Sequence, residues 1–535
     1  MFRKNFFILF ATILLLVIGT ACTPESAGTD TDSNDTSSNT GDSNSSSNDS
    51  STNDANKDPV KEDIVIGIES DAVTLLANTD VNYVNDVQIR NIYDPLIERD
   101  DEGKFTPALA TEWKNVDENT WEFTLRDDVK FTNGKPFTAE DVKENIEFIL
   151  DESNNSFYRS RWTQFKEVIV LDDYRIQITT HEPLPNLLLR IADDLLIMDV
   201  DHVKAVGLDE AAKNPVGTGA YKFVEWQRDQ FLKLTVNEDY WKGTPTIKTV
   251  TFKYIPEFST RLSAFLSGEI DLFKNIPVDA VERVENDENS KIDMIGSSRI
   301  NYVAMNTFHD GPLQDKKVRQ AISHAIDVDE LLKSVLNGNG TKMTGPLSKI
   351  NADYTETTGY DYDPDKAVAL LKEAGYEPSQ LELQIDTPSG RYPMDSHVAQ
   401  AIASQLGRIG IKVNVQVNEW GNHLAKIRQR EMSDMFILGW GPAFDAQGTI
   451  ENLFTEQAPY SGFFDAEVEK MIFAAIPIFD GPERQKAWAD IQHRLVEEAA
   501  WIYLWQQGDL YAVRKGLNFE PRIDEKMLVY TMSWN

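Results

Sequence analysis

The side chains able to do chemistry are scattered along this sequence rather than clustered. The seven histidines, His181, His202, His309, His324, His397, His423 and His493, include no pair at the i, i+4 spacing that sets two imidazoles on one helix face around zinc. This argues against a metalloprotease. No G-x-x-x-x-G-K-[ST] phosphate cradle and no G-x-S-x-G nucleophile elbow occurs. Asp361, Asp363 and Asp365 alternate like calcium ligands, but the chain continues straight into a helix without the central Gly or closing Glu of a calcium loop, so Asp363 reads as a helix cap. The acid pairs Asp127-Asp128 and Asp193-Asp194 have the chemistry of a general acid and base, yet neighbouring carboxylates arise by chance in so acidic a chain.

What remains is binding. Most of the large aromatics, such as Tyr93, Trp113, Tyr221, Tyr240, Trp241, Trp420, Trp501 and Trp505, read as core fillers. Two short strings differ because aromatic, glycine and charge stand together: Gly390-Arg391-Tyr392, and G-W-G-P-A-F-D from Gly439 to Asp445.

The elements that must carry these strings are legible. Residues 63–69 (DIVIGIE) read as an opening strand, and Trp121, Phe123 and Leu125 alternate as a half-buried one. Thr138 caps a helix with Asp141 three residues on, and Val142, Ile146 and Ile149 form its apolar face. LKLTVNEDYWKGTPTIKTVTFKYIP gives two strands, and a helix runs from Thr260 to Leu266, ended by Gly268. Helices follow over 315–325 and 327–337, the second with Asp327 and Glu330 as a capping box and Gly338 as its stop. A third starts at Asp363-Pro364 and ends at Gly375. LELQIDTP, a helix over 396–409 and the alternating Ile411, Val413, Val415 and Val417 form a strand–helix–strand unit, which implies a partly parallel sheet with ligands at its loop ends. Breaks between lobes fall near Asn306 and Gln506.

Composition narrows the function classes. The chain has 535 residues and a formal charge of −35 from 52 basic and 87 acidic side chains, a field that argues against nucleic acid as a partner. Residues 1–21 read as a signal peptide, with Arg3 and Lys4 before an apolar run too short for a comfortable membrane span. The run ends in Gly19-Thr20-Ala21-Cys22, which resembles a bacterial lipobox with Gly19 at the usual bulky position, so Cys22, the only cysteine, is expected to be lipidated. Residues 22–61, nearly all Ser, Thr, Asn, Asp and Gly before the acidic and basic residues at their end, read as a disordered tether. The folded body is therefore expected outside the cytoplasm, lipid-anchored to the outer face of the cell membrane.

In order along residues 63–535 stand IYDPLIERDDEGKFTPALATEW, LRDDVKFTNGKPFTAEDV, NPVGTGAYKFVEW, NEDYWKG, LSGEIDLF, DKKVRQAISHAIDVDELL, YDPDKAVALLKEAGY and ILGWG. Together they resemble the peptide/nickel family of bacterial ABC-transporter substrate-binding proteins, the dipeptide- and oligopeptide-binding type. The resemblance implies an α/β, two-lobed periplasmic-binding-protein-like clamp of type II with mixed sheets, two crossing segments and an extra subdomain on the first lobe. Mapped here, lobe I is 62–92, 215–305 and 506–535, its subdomain 93–214, and lobe II 306–505. It further implies a monomeric, non-enzymatic receptor without cofactor, which captures di- to oligopeptides and delivers them to an ABC permease. A nickel- or other metal-chelate receptor of the same family is the alternative, and an extracellular peptidase or chaperone-like lipoprotein a distant one.

The resemblance also assigns a site. Burying a zwitterion requires a matched partner at each end. Arg391, with Tyr392, matches the arginine that takes a peptide's C-terminus in relatives, holding the carboxylate by two parallel bonds; the alternative is that Arg391 pairs with a surface acid such as Asp395. Peptide-binding relatives carry W-x-x-D, whose Asp receives the ligand ammonium, but here Trp440 is followed by Gly441, Pro442 and Ala443. Asp445 could serve from a reshaped loop. W-G-P-A-F-D is also similar to W-G-x-P-Y-D of nickel-chelate binders, with Phe444 in place of Tyr, though no His lies between Trp440 and His493. From the other lobe, Ser70, Asp71 and Thr74, after Glu69, fill the loop that contacts ligand in relatives.

Overall fold

A computed structural model describes residues 61–80, 83–100, 103–441, 444–479 and 481–535. The leader, Cys22, the tether up to residue 60, and Ala443 lie outside the described residues.

Among the described residues, an eleven-stranded mixed sheet runs through the body in the order Lys412–Asn418, Glu382–Pro388, Met435–Trp440, Ser290–Met305, Trp501–Arg514, Leu272–Lys274, Asp63–Ile68, Thr249–Tyr254, Phe231–Val236, Tyr221–Gln227, with Thr341–Lys342 beside Trp501–Arg514. Each end contains a parallel unit. Asp63–Ile68 pairs in parallel with Thr249–Tyr254 and Leu272–Lys274, and Glu382–Pro388 with Lys412–Asn418 and Met435–Trp440. The latter is the expected strand–helix–strand unit, crossed over by the helix Asp395–Arg408.

The central pair explains how the two ends are joined. Ser290–Met305 and Trp501–Arg514 contain 16 and 14 residues and pair antiparallel over nearly their whole length. At about 3.3 Å per residue they reach roughly 45–50 Å, enough to pass through two cores. Tyr302, Val303, Trp501 and Leu504 belong to one core, Tyr511 and Val513 to another. The strand runs on through Gln506, and the ladder has register shifts between Gly296 and Ile300 and between Asn301 and Tyr302. Pairing the two crossings satisfies both backbones where a buried loop would leave polar groups open. The bulge has a further effect, because it re-aims Arg299.

A separate four-stranded antiparallel sheet, in the order Ala110–Asp117, Thr120–Leu125, Arg175–Thr180, Phe165–Asp172, has its own core of Phe123, Ile146, Trp162 and Ile178. The helix Ala139–Leu150 covers it with Val142, Ile146 and Ile149, as the apolar spacing predicts. Its start is fixed by Asp141, whose carboxylate accepts from the Thr138 N–H at 2.8 Å.

One cap departs from expectation. Asp327 does accept from the Glu330 N–H at 2.9 Å, but the Glu330 carboxylate turns away to Arg408, and the Asp327 N–H donates to the Gln405 amide oxygen instead. The helix is also shorter, Val328–Ser334. A long-range partner replaces the local one because bidentate pairing with a guanidinium is stronger than a single bond to a backbone amide.

Candidate ligand-binding site

Between the helix Leu187–Asp194, the bulge at Arg299 and the strand end at Trp440 lies a cavity of about 150 Å³. At 10–15 Å³ for one water position, this is room for on the order of ten waters.

The structure brings Arg391, Tyr392, Trp440, Gly441, Phe444 and Asp445 together on the wall of this one cavity. Arg391 and Tyr392 follow the strand Glu382–Pro388 in a loop that starts with Gly390 at φ +72, a left-handed conformation that glycine adopts without strain. One carboxylate organises that loop. Asp395 accepts from the backbone N–H groups of Gly390, Arg391, Tyr392 and Ser396 at 3.1, 2.9, 3.1 and 2.8 Å. The alternative reading of Asp395 as a surface partner for Arg391 is corrected: it is buried and is the anchor of the backbone that presents the guanidinium. Burial pushes the Asp395 carboxyl up to about 6 against the pull of these four amides.

Arg391 lies over the Tyr392 and Trp420 rings, 4.9 and 5.3 Å from their centroids, and its Nη1 stands 3.8 Å from Glu69 Oε1. Behind it, Arg299 binds Glu525 through Nε and Nη2 at 2.7 and 3.0 Å and donates to the Gly439 carbonyl. Lys274 completes this buried network with Glu525 at 2.6 Å and Asp509 at 2.9 Å. Burial opposes ionisation of Glu525, yet Arg299 and Lys274 hold its carboxyl well below the usual range, whereas burial pushes Asp509 up to about 6.

Asp445 has a different environment. One oxygen accepts from the Gly448 N–H at 2.6 Å, and burial pushes the carboxyl up to about 6. The Phe444 ring sits under the Arg99 guanidinium at 4.1 Å, closing that end of the wall.

Ser70, Asp71 and Thr74 do not line this cavity, although Glu69 of the same loop stands beside Arg391. Asp71 accepts from the Trp226 indole N–H at 3.0 Å and from the Asp229 N–H at 2.9 Å, so it fixes the hairpin between Tyr221–Gln227 and Phe231–Val236. Thr74 accepts from the Leu76 N–H, and Ser70 is buried.

Several wall residues are not marked as site residues by any local pattern. Arg90, Arg161, Arg190, Asp193, Asp194, Arg299, Trp420, Tyr460 and Lys526 reach the cavity from separate elements. Asp193 and Asp194, dismissed as chance neighbours, bind Arg99 and Arg161 respectively, the latter at 3.1 Å. Trp420, read as core, does line the wall, as Trp440 does. The adjacency of the two acids was the one signal available; nothing local marks Arg299, which reaches the wall only through the bulge.

A mixed-sheet clamp whose crossing strands pass beside a cavity walled by opposed charges defines a solute-binding protein. The chain matches the model of the bacterial extracellular solute-binding proteins, family 5 (middle), over residues 104–461, and it belongs to that family. It is 27% identical over 446 residues to the probable D,D-dipeptide-binding periplasmic protein DdpA of Escherichia coli K12, covering 79% of this chain and 84% of that protein. Identity to the nickel-binding periplasmic protein of the same organism is also 27%, over 77% of this chain and 83% of that one. Among solved structures, the periplasmic binding protein DppA of Helicobacter pylori in complex with the peptide STSA superposes with a TM-score of 0.82 at 26% identity, over 89% of this chain and 98% of that one.

Proposed function

We propose that this protein is a non-enzymatic receptor that captures short peptides outside the cytoplasm and delivers them to an ABC permease. The observation that carries the reading is the placement of Arg391 and Asp445 on one wall, a cation for the ligand's carboxylate and an acid for its ammonium. Tyr392, Trp440, Gly441 and Phe444 would enclose the chain between those ends.

The clamp works by the division of 62–92, 215–305 and 506–535 with the subdomain 93–214 on one side, and 306–505 on the other, closing over ligand by a hinge motion. Two ion pairs would then bridge the closed lobes: Arg428 with Asp80, and Arg190 with Glu451 at 2.9 Å. The protein acts as a monomer, tethered through lipid on Cys22. Labelled lipid incorporated into the full chain and lost in Cys22→Ser checks the anchor.

The test of the ligand is a native mass spectrum of residues 56–535 as purified, followed by denaturation and identification of what is released. Co-purified short peptides are the expected result. A metal-bearing adduct, or occupancy only after metal and chelator are added, would overturn the peptide reading in favour of a chelate receptor.

A further inference from the structure

One corner of the cavity has a charge balance that the zwitterion at Arg391 and Asp445 leaves unused. Lys526, on the C-terminal segment, lines the wall with its side chain only 10% exposed. Its ammonium lies 3.3 Å from Asp524 Oδ2 and 3.9 Å from Asp193 Oδ1, and neither contact has hydrogen-bond geometry. Both acids are already engaged. Asp524 accepts from Arg522 Nε and Nη2, each at 2.9 Å, and from the Lys526 backbone N–H; Asp193 binds Arg99. The Asp193 oxygen facing Lys526, Oδ1, has no hydrogen-bond partner.

Charge makes the same point. Arg90, Arg99, Arg522 and Lys526 meet here, against Asp86, Asp193 and Asp524, where Asp86 is taken by Arg90 at 2.7 Å. Each guanidinium here has a carboxylate in direct contact, and Lys526 shares two that are already taken. Burial lowers the Lys526 ammonium's proton affinity; Asp524 and Asp193 oppose this, while Arg90 and Arg99 add to it. A buried ammonium with three donors and no acceptor in alignment carries a desolvation cost that an anionic ligand group at this point would offset.

We propose that Lys526 forms a second anion subsite, so that the preferred ligand is a short peptide with an acidic side chain as well as its terminal carboxylate. This rests on the peptide-receptor reading and names the ligand class within it. The chain's overall negative field works against acidic ligands, so a preference for them has to come from a local donor. The carboxylate carries a full negative charge that an isosteric amide lacks, and in a site poor in water the ammonium attracts that charge more strongly than an amide dipole.

The experiment is calorimetric titration of residues 56–535, stripped of co-purified ligand, with Ala-Glu against Ala-Gln and Glu-Ala against Gln-Ala. In at least one pair the acidic member is expected to bind ten-fold or more tightly. In Lys526→Gln that ratio falls to within two-fold, whatever the absolute affinity, and in Lys526→Arg it stays above five-fold. Equal binding of acidic and neutral members by the unaltered protein overturns the subsite alone and needs no variant. Persistence of the full ratio in a folded Lys526→Gln, checked by its thermal melt, overturns the assignment to Lys526. Failure of all four dipeptides to bind, with a metal chelate binding instead, overturns the peptide reading and the subsite with it.

Discussion

Arg428 holds Asp80 by two hydrogen bonds of 3.0 Å each, across 348 positions of sequence. Arg428 ends the helix Trp420–Arg428, which brings Trp420 and Leu424 to the cavity, and it also donates to the hydroxyl of Tyr460, another wall residue. The Tyr460 ring in turn packs on Trp440 at 5.4 Å. The pair is thus coupled to the ligand wall without being part of it.

Asp80→Asn preserves shape and removes the charge. Breaking a buried ion pair by removing one partner costs about 3–5 kcal/mol, and in a clamp that cost falls on the closed state. The expected outcome is a peptide dissociation rate raised ten-fold or more with little change in association rate, read by surface plasmon resonance. An unchanged dissociation rate counts against a bridging role.

Arg391→Ala should lower peptide affinity by about 2–5 kcal/mol, since a desolvated carboxylate would lose its partner. Arg391→Lys is expected to recover only part of this, because a point charge does not reproduce the parallel bonds of a guanidinium. Calorimetry with free and C-terminally amidated peptide separates the carboxylate contact from packing: in Arg391→Ala the difference between the two peptides should shrink.

Asp395→Ala removes the acceptor shared by four backbone N–H groups, and each buried donor left open costs about 1–3 kcal/mol. Water would satisfy some of them in the vacancy. The expected result is a lower denaturant midpoint together with weaker peptide binding, since the loop that carries Arg391 loses its anchor. Asp395→Asn, which keeps one acceptor oxygen, should fall between the two.

The pH dependence of Asp445 has a definite sign. Its carboxyl is raised to about 6 in the folded protein against an unperturbed value of about 3.9. The protonated form therefore favours folding, its contribution is complete below about pH 4, and it is lost as pH rises towards 6. Asp445→Asn should raise the melting temperature of the ligand-free protein at pH 7.5 and give no gain at pH 3.5. Peptide binding should run the other way, weakening as pH falls through about 6, because an ammonium pairs only with the ionised acid. A titration series that shows flat affinity from pH 7.5 to 5 would remove Asp445 from the amine site.

The sequence by itself determined what is local. Cap and terminator at Asp363 and Gly375, the apolar face of Val142, Ile146 and Ile149, and the parallel unit around 382–418 all follow from periodicity and turn chemistry, which act over a few residues. Gly390-Arg391-Tyr392 and the string from Gly439 to Asp445 were legible for the same reason, as short runs of mutually dependent residue types. Tertiary structure alone decided what crosses the chain. Arg299 reaches the cavity because two strands some two hundred residues apart slip register, and Lys526 because the C-terminal segment returns to the wall. Asp71 reads as a ligand contact and Asp395 as a surface charge, and which backbone amides come within 3.1 Å gives each an anchoring role. A carboxylate's role depends on the donors packed around it, and those donors come from elements that local spacing cannot bring together.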